Sequence, residues 1–195
     1  DFSTIDLVFL ALPHGESAAL IAKIPTNVKI VNLGADFRLE DAAQWEKYYG
    51  GKHAGAWVYG LPELSSAQRE AIKKESKVAN PGCYATGAIA LIRPLIDAGV
   101  LSPEASVCLP SVSGYSGGGR TMIEAYEAGT APAFELYGLS LEHKHVPELQ
   151  KYGNLDQRPI FVPSVGNFRQ GMLVSVPLHL DALNGRPKVA DLEAV

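Results

Sequence analysis

Continuous apolar runs separated by short polar turns open the chain. Residues 6–12 (DLVFLAL) are apolar at almost every position, as in a strand buried on both faces of a parallel sheet. Helix-forming residues follow at 16–23, and residues 28–33 (VKIVNL) indicate a second buried strand. A strand, a helix and a strand in this order predict a βαβ unit of a doubly wound sheet, whose ligands bind outside the carboxyl ends of the strands.

From residue 83 onward, helical spacing replaces the continuous apolar runs. Apolar side chains recur every three or four positions between residues 85 and 96, which predicts a helix that begins near Cys83, bends at Pro94 and ends at Gly99. Further strands are predicted at residues 77–79, 105–112, 160–165 and 172–180. Further helices are predicted around Trp45 and Tyr48, at residues 65–74 behind a serine cap, up to Glu127 and from Pro147.

These elements are of the α/β class, and the length of the chain allows one large domain or two small ones. The N-terminal elements predict part of a doubly wound parallel sheet, and the C-terminal elements predict a mixed sheet whose faces differ, because residues 172–180 alternate in polarity. No GxGxxG or P-loop segment precedes a predicted strand, so no dinucleotide fingerprint lies within these residues.

Composition and charge narrow the classes of partner. The chain has 195 residues, of which 47% are hydrophobic, enough for a substantial core. Its 17 Lys and Arg against 21 Asp and Glu give a net charge of −4 without a basic cluster, so neither nucleic acid nor an anionic membrane has an obvious docking face. We therefore expect a small molecule as the partner.

The N-terminal stretch and the cysteines indicate the cellular compartment in which the protein is expected. No apolar run approaches the roughly 18 residues of a membrane-spanning helix, and the N-terminal stretch lacks the basic start of a signal peptide. Two cysteines, Cys83 and Cys108, are compatible with a reducing compartment, so we expect a cytoplasmic protein. Because the chain starts at Asp1 and enters a strand-like run almost at once, we also expect an internal piece of a longer chain.

Cys83 lies between a Pro-Gly turn and the predicted helix, in residues 80–87 (NPGCYATG). A helix N-terminus favours the thiolate, the reactive form of cysteine, through its unpaired N–H groups and its dipole. Pro81 and Gly82 fix a turn that can aim the sulfur outward. Local sequence leaves Cys83 evenly balanced between a nucleophile and a small buried hydrophobe, whereas Cys108, inside an apolar strand, is expected to be buried.

A nucleophilic thiol needs a proton acceptor, and histidine suits this role at neutral pH. His143 and His145 lie two positions apart in EHKHVPE, so in an extended segment they share a face. Glu148, in the first turn of the helix that Pro147 opens, can orient an imidazole. An H-x-H pair can also be half of a zinc site, but no second cluster at ligand spacing accompanies it, so no metal is expected.

A glycine-rich segment at residues 113–120 (SGYSGGGR) offers hydroxyls and backbone N–H groups ahead of a helix. Such groups can bind phosphate or carboxylate oxygens, and Arg120 strengthens this interpretation; a merely flexible loop is the alternative. Arg38 and Arg169 are further cations beside turns, each equally compatible with a solvated surface position. His14, at the turn after the first strand, can serve a cofactor or lie on the surface.

Seven segments occur in a fixed order along the chain: ALPHGES, NLGADFRL, YGLPEL, NPGCYATG, SVSGYSGGGR, EHKHVPE and FVPSVGNFRQGM. In this order they resemble the N-acetyl-gamma-glutamyl-phosphate reductase family of the semialdehyde dehydrogenase superfamily, and NPGCY together with HKHVPE is the specific part. The resemblance runs over residues 11–172. It implies the C-terminal part of an NADP-binding Rossmann domain over residues 1–80, then an incomplete α/β catalytic and dimerisation domain over residues 81–195.

The resemblance also implies a reaction: NADPH reduces N-acetyl-gamma-glutamyl phosphate to N-acetylglutamate semialdehyde, with release of phosphate, in arginine biosynthesis. In that reaction the Cys83 thiolate forms a thioester, and His145 is the acid and base, with His143 as second choice. Backbone donors of residues 80–83 are expected to face the developing oxyanion. The residues expected to hold substrate are Asn80, Ser113, Arg120, Glu148 and Arg169. Those expected to contact NADP are Leu12, Pro13, His14, Ser116 and Gly117.

The sequence leaves three alternatives open. A related semialdehyde dehydrogenase would act on another acyl phosphate. A cysteine hydrolase would use the same cysteine and histidine without a nucleotide, although the βαβ unit argues against it. The chain could also act only as a structural or dimerisation module. For the reductase itself we expect a homo-oligomer, either a dimer or a tetramer, with neither nucleic acid nor membrane as a partner.

Overall fold

The computed structural model describes residues 2–195; Asp1, the first residue of the predicted 1–80 domain, lies outside the described residues. The chain forms two compact units, one extending to Thr86 and the other covering Gly87–Val195. Among the described residues, no helix combines the length and the apolar character needed to cross a membrane.

A four-stranded parallel sheet organises the first unit. Its strands are β1 (Leu7–Leu10), β2 (Lys29–Asn32), β3 (Val58–Tyr59) and β4 (Lys77–Ala79), in the order β1-β2-β4-β3. Helices α1 (Ser17–Ile21), α2 (Ala42–Tyr48) and α3 (Ser66–Lys74) connect successive strands. The predicted βαβ unit is confirmed, since β1 pairs in parallel with β2 along its whole length.

Apolar side chains of β1, β2 and the turn before β2 form a core in this unit. Leu10, Ile24, Val28 and Ile30 are buried together, and Trp57 packs against them. Because β1 and β2 lie side by side above this cluster, their carboxyl ends and the turns that follow are held at one edge of the sheet.

The helix starts at that edge follow local capping chemistry. The Ser65 hydroxyl accepts the backbone N–H of Gln68 at 3.0 Å and caps α3, as the sequence predicts. The Asp41 carboxylate accepts the N–H of Ala43 at 2.8 Å and caps α2. Each cap satisfies a backbone donor that would otherwise lack an intrahelical partner, which fixes where the helix begins.

A mixed four-stranded sheet organises the second unit, as predicted. Its strands are β5 (Cys108–Gly114), β6 (Phe134–Leu136), β7 (Ile160–Gly166) and β8 (Met172–Val174), in the order β6-β7-β5-β8. β5 and β7 are parallel, whereas β6 and β8 pair antiparallel with their neighbours. The helices are α4 (Cys83–Asp97), α5 (Arg120–Glu127), α6 (Val146–Tyr152) and α7 (Val189–Glu193).

The helix predicted to begin near Cys83 is α4, and a small residue lets it pack closely on the second sheet. A methyl group at Gly87 would come within 2.9 Å of Val174 Cγ2, so the helix and β8 approach each other there. Ile89 is almost fully buried on the same helix. Arg93 donates to the carbonyl oxygen of Tyr152 in α6 at 3.4 Å. The body of α4 is therefore anchored in the second unit.

One face of the second sheet is apolar and exposed. Strand pairing places Cys108 beside Ile160 and Val112 beside Leu173, and the alternation along β5 puts all four on one face. Ile160 and Leu173 are 48% and 63% exposed. Cys108 is exposed as well, so the prediction that it is buried is wrong. β5 therefore carries apolar residues on a face that is left exposed.

The fourth strand of this face is β6. Leu136 pairs with Ser164, which lies on the same side of β7 as Ile160, and Phe134 is two positions away on the same side. Both are exposed. We call the set Phe134, Leu136, Ile160 and Leu173 the apolar sheet face.

The two short strands of this sheet depart from prediction. The strand predicted at residues 172–180 is limited to Met172–Val174, where it pairs with residues 111–113 of β5. β6 was not predicted, because its three residues are all exposed and it is defined by pairing with β7, far away in sequence.

Candidate functional site

Cys83 is the first residue of α4, and its side chain is exposed. Pro81 and Gly82, which precede it, are buried, so the turn is packed while the cysteine faces outward. The Gly82 carbonyl oxygen accepts both the backbone N–H and the hydroxyl of Thr86, each at 2.9 Å, which closes the first turn of the helix. Of the two possibilities left open by the sequence, a buried filler is excluded.

The turn before Cys83 is tied to the carboxyl end of the first sheet. The Asn80 N–H donates to the carbonyl oxygen of Asn32 at 2.8 Å, and its side-chain amide donates to the Pro81 carbonyl oxygen at 3.1 Å. Arg38, only 7% exposed, donates from Nε to the Asn80 carbonyl oxygen at 2.7 Å. The solvated position considered for Arg38 is therefore wrong.

His143 and His145 form a ring pair at the start of α6. Their ring centroids are 4.8 Å apart at 70°, and the backbone N–H of His145 donates to Nδ1 of His143 at 3.1 Å. The His143 ring also stands edge-on to Phe161, with centroids 5.0 Å apart. His145 occupies the N-cap position of α6, so its own backbone is part of the helix start.

The environment of His143 keeps its imidazole neutral. Burial above all, and then the nearby His145 and Lys144, lower the pKa of His143 from 6.5 to about 4, while Glu148 acts in the opposite direction. A neutral ring can accept the His145 N–H at Nδ1, which a protonated ring cannot do. The hydrogen bond that Nδ1 of His143 accepts therefore competes with protonation of that nitrogen.

Glu148 lies in the first turn of α6 and is fully buried. The prediction that Pro147 opens this helix is confirmed by its place in the first turn. A carboxylate near a helix N-terminus is favoured by the unpaired N–H groups there. Burial next to the His143–His145 pair suits Glu148 to orient an imidazole more than to reach a free substrate.

The glycine-rich segment after β5 is fixed by a second segment of the chain. The N–H groups of Gly114, Tyr115 and Ser116 donate to the carbonyl oxygens of Gly171, Phe168 and Arg169 at 2.9–3.0 Å. The structure thereby brings the predicted anion-binding segment, residues 113–120, against residues 167–171, which carry Arg169. These three donors are engaged within the protein, so an anion here would need other groups.

The remaining polar groups of this loop are split between interior and surface. Ser113 is buried, and its hydroxyl donates to the Gly114 carbonyl oxygen at 3.2 Å. Arg120 is exposed and pairs with Glu124 at 2.8 Å. Arg169 is exposed and pairs with Glu127 at 3.6 Å. Exposed ion pairs of this kind are weak, so both guanidinium groups can turn toward an incoming anion at little cost.

The turn after β1 borders a groove in the first unit. The Gly15 N–H donates to Oδ1 of the buried Asp36 at 2.7 Å, which ties this turn to the one after β2. His14 lies edge-on to Tyr49, with ring centroids 5.6 Å apart. A groove of about 800 Å³ is lined by His14, Tyr49 and Lys52, among others. The predicted cofactor residues Leu12, Pro13 and His14 thus lie at the carboxyl edge of the parallel sheet.

Residues 83–193 match the family described as semialdehyde dehydrogenase, dimerisation domain, and residues 1–75 match the semialdehyde dehydrogenase NAD binding domain. The chain belongs to the semialdehyde dehydrogenase family. The N-acetyl-gamma-glutamyl-phosphate reductases of Brucella ovis and Brucella canis are each 55% identical to it, over 71% of this chain and 46% of the relative. The resemblance drawn from the seven sequence segments is confirmed. The chain spans about half the length of the curated relatives it matches.

Solved structures of the semialdehyde dehydrogenase family share the fold. Aspartate semialdehyde dehydrogenase II from Vibrio cholerae aligns with a TM-score of 0.60 at 16% identity, covering 93% of this chain and 59% of that chain. The same enzyme complexed with ASA aligns with a TM-score of 0.59 at 14% identity, covering 98% and 60%. The predicted α/β fold, with a Rossmann-type sheet followed by a mixed sheet, is confirmed.

Two buried polar residues of the chain were missed or misjudged from sequence. Asp36 was not singled out, although it sits beside Arg38 in the segment GADFRL. Arg38 was noted only as a cation beside a turn. The sequence did offer a signal for their burial. Asp36 and Arg38 are two charged residues in an otherwise apolar stretch that directly follows a buried strand. No group of three or more His, Cys, Asp or Glu in the described part of the chain is placed to hold a metal ion.

Proposed function

We propose that this chain carries the catalytic cysteine and histidine of an N-acetyl-gamma-glutamyl-phosphate reductase, a cytoplasmic enzyme of arginine biosynthesis that uses NADPH. The observation that carries the proposal is the exposed Cys83 at the first residue of α4, in a chain of the semialdehyde dehydrogenase family. The relatives at 55% identity bear the name of this reductase.

Cys83 is the nucleophile in this proposal. Its sulfur is exposed at the first residue of a helix, where a small substrate can reach it. The thiolate attacks the acyl carbon, a C–S bond forms, the C–O bond to phosphate breaks, and phosphate leaves. Backbone donors in residues 80–83 stabilise the negative charge that develops on the carbonyl oxygen.

His145 is the proton carrier, and the structure favours it over His143. His143 accepts the His145 N–H through Nδ1, and its lowered pKa of about 4 makes it a poor base near neutral pH. His145 takes the proton of the Cys83 thiol. It returns a proton to the oxygen of the thiohemiacetal and removes it again as the C–S bond breaks and the semialdehyde leaves. Glu148 orients the pair.

The turn after β1 fits a nicotinamide dinucleotide, because dinucleotides bind at the carboxyl ends of strands in doubly wound sheets. Leu12, Pro13 and His14 form that turn beside the groove of about 800 Å³, and we assign Ser116 and Gly117 to the same cofactor. NADPH, when bound, supplies the hydride that reduces the Cys83 thioester. Substrate oxygens are held by Asn80, Ser113, Arg120 and Arg169, with Glu148 at the histidine end.

A homo-oligomer, either a dimer or a tetramer, completes the proposal. The apolar sheet face exposes large side chains, and the matching family is described as a dimerisation domain. A contiguous exposed apolar patch on a folded domain is typical of a protein–protein contact. We assign this face to contact with a second copy of the chain.

The test is phosphate-dependent reduction of NADP by N-acetylglutamate semialdehyde, measured with the full-length protein and with Cys83→Ser. Serine keeps the shape of the side chain but is a much weaker nucleophile, so kcat should fall by roughly a thousandfold or more. Cys108→Ser is the matched control, and its activity should stay within about twofold of the wild type, because Cys108 takes no part in the proposed chemistry and serine is close to cysteine in size.

Three results would contradict the assignment. Undiminished turnover by Cys83→Ser removes the nucleophile. Turnover of simple esters without a nucleotide supports a hydrolase instead. A clear preference for a different semialdehyde in a substrate panel leaves the mechanism in place but assigns the chain to another reaction of the same family.

A further inference from the structure

The segment after β2 buries a guanidinium group directly beside the turn that leads to Cys83. Arg38 is 7% exposed, and its Nε donates to the Asn80 carbonyl oxygen at 2.7 Å. Its Nη2 donates to the Leu33 carbonyl oxygen at 2.8 Å. Leu33 directly follows β2 and Asn80 directly follows β4, so one side chain joins the carboxyl ends of two adjacent strands.

The chain leaves the sheet at Asn80, and the residue after it is proline, which has no N–H group to bond to the sheet. Arg38 is buried, and a buried cation without acceptors is costly. Arg38 and the strand-end carbonyls satisfy one another, which fixes the direction in which the chain departs from β4.

We propose that Arg38 is a positioning residue for Cys83: its planar guanidinium holds Asn80 and thereby sets the turn of Pro81 and Gly82 that presents the thiol at the start of α4. The proposal rests on the proposed role of Cys83 as a nucleophile. The fork shape of the guanidinium matters, because it binds two carbonyl oxygens at the ends of different strands at once. The ammonium group of a lysine, a single charge on a flexible side chain, does this less well.

The consequence is a property of the thiol itself. If the turn loosens, the first turn of α4 loses its fixed start, and the sulfur is no longer held in the exposed position from which it attacks. Loss of Arg38 should therefore slow reactions of Cys83 with any electrophile, while it leaves Cys108, which belongs to the second unit, unaffected.

The experiment measures the alkylation rate of each cysteine by iodoacetamide near neutral pH, with the two cysteine peptides resolved by mass spectrometry. In Arg38→Ala, the Cys83 rate should fall by roughly tenfold or more, as expected when a reacting group is misplaced. The Cys108 rate, the internal reference, should not change. Arg69→Ala is the control, because Arg69 is an exposed arginine of the same unit that pairs with Glu63 at 3.7 Å.

Chemical rescue separates positioning from general loss of structure. Ethylguanidinium replaces the part of the side chain that Arg38→Ala removes, and it should restore most of the Cys83 rate. Ethylammonium at the same concentration, which carries the charge without the fork, should not. Arg38→Lys should react at an intermediate rate. Circular dichroism recorded on each sample reports whether the variant is folded.

Two results overturn the proposal. One is a folded Arg38→Ala or Arg38→Lys whose Cys83 reacts at the wild-type rate. The other is ethylguanidinium that restores the circular dichroism signal of a poorly folded variant without restoring the Cys83 rate. Alkylation requires neither acyl phosphate nor NADPH, so failure of the reductase assay and failure of this proposal are separate outcomes.

Discussion

His143 is held in a fixed place beside His145. Its Nδ1 accepts a backbone N–H, its ring packs against Phe161, and its pKa is lowered to about 4. A side chain that stays neutral and hydrogen-bonded at physiological pH orders the start of α6, where His145 and Glu148 lie. The two histidines of the H-x-H segment therefore have different surroundings, and their spacing in the sequence does not reveal this difference.

This environment makes stability depend on pH in a known direction. The folded-state pKa of His143, about 4, lies below its ordinary value of 6.5, so between these values the unfolded chain binds a proton that the folded chain does not. The free energy of unfolding should therefore fall as the pH drops from 6.5 to 4, by about 1 to 3 kcal/mol from this group, and the effect should be absent above pH 6.5.

His143→Asn is the variant that isolates the effect. The amide oxygen of asparagine takes the position of Nδ1 as an acceptor but does not titrate. Urea unfolding at pH 4.5, 5.5, 6.5 and 7.5 should show a shallower pH dependence in this variant than in the wild type. Parallel pH profiles for the two proteins would mean that His143 is not the group that titrates.

Burial of individual side chains was the property least accessible to sequence. Cys108 was expected to be buried because its neighbours are apolar, yet it is exposed on the sheet beside Ile160. Arg38 was compatible with solvent, yet it is buried between two strand ends. In both cases the outcome depends on which strands become neighbours, and no local pattern encodes that. The position of Cys83 at the start of a helix was easier to predict, because its turn and its helix are set by neighbouring residues in the sequence.

The loop after β5 is held against residues 167–171 by backbone hydrogen bonds. Three successive N–H groups of residues 114–116 bond to carbonyl oxygens of that second segment. Gly114 permits the approach: a methyl group there would lie 2.7 Å from the Phe168 carbonyl oxygen and 2.8 Å from the Arg169 carbonyl. Both contacts are with backbone, which cannot turn aside as a side chain can.

Gly114→Ala should therefore destabilise the protein by about 1 to 3 kcal/mol, the usual cost of forcing extra volume into a packed site. Gly117→Ala is the matched control, because a methyl group at Gly117 would meet only the Ser113 hydroxyl, at 3.4 Å. Urea unfolding at neutral pH compares the two. Equal stability of the variants would show that the loop can move away from residues 167–171 without loss.

Element prediction succeeded where the signal is local or strongly periodic. The buried strands β1 and β2, the serine-capped α3 and the long α4 follow from apolar runs, capping chemistry and helical spacing. β6 and the early end of β8 do not. Each of these short strands is limited to three residues that pair with a partner far away in sequence. Apolar alternation continues after Val174, but the ladder that would make it a strand does not.

The second sheet exposes a set of large apolar side chains to water. Phe134, Leu136, Ile160 and Leu173 lie on one side of three strands and are 48–63% exposed. A single exposed apolar side chain is ordinary, but a continuous set on a rigid sheet marks a contact surface. A second copy of the chain is the occupant proposed for it, in keeping with the family described as a dimerisation domain.

A single charge on this face should separate the copies. Leu173→Glu would place a carboxylate in the proposed contact, where desolvation without a partner is costly, so the dissociation constant of the dimer should rise by roughly a hundredfold or more. Val189→Glu is the control: Val189, in α7, is 61% exposed, close to the 63% of Leu173, but lies outside the face. Sedimentation velocity over a range of protein concentrations measures both variants, with circular dichroism to confirm that they fold. A wild-type chain that sediments as a monomer, or a Leu173→Glu variant that associates as tightly as Val189→Glu, would show that the copies do not meet through this sheet.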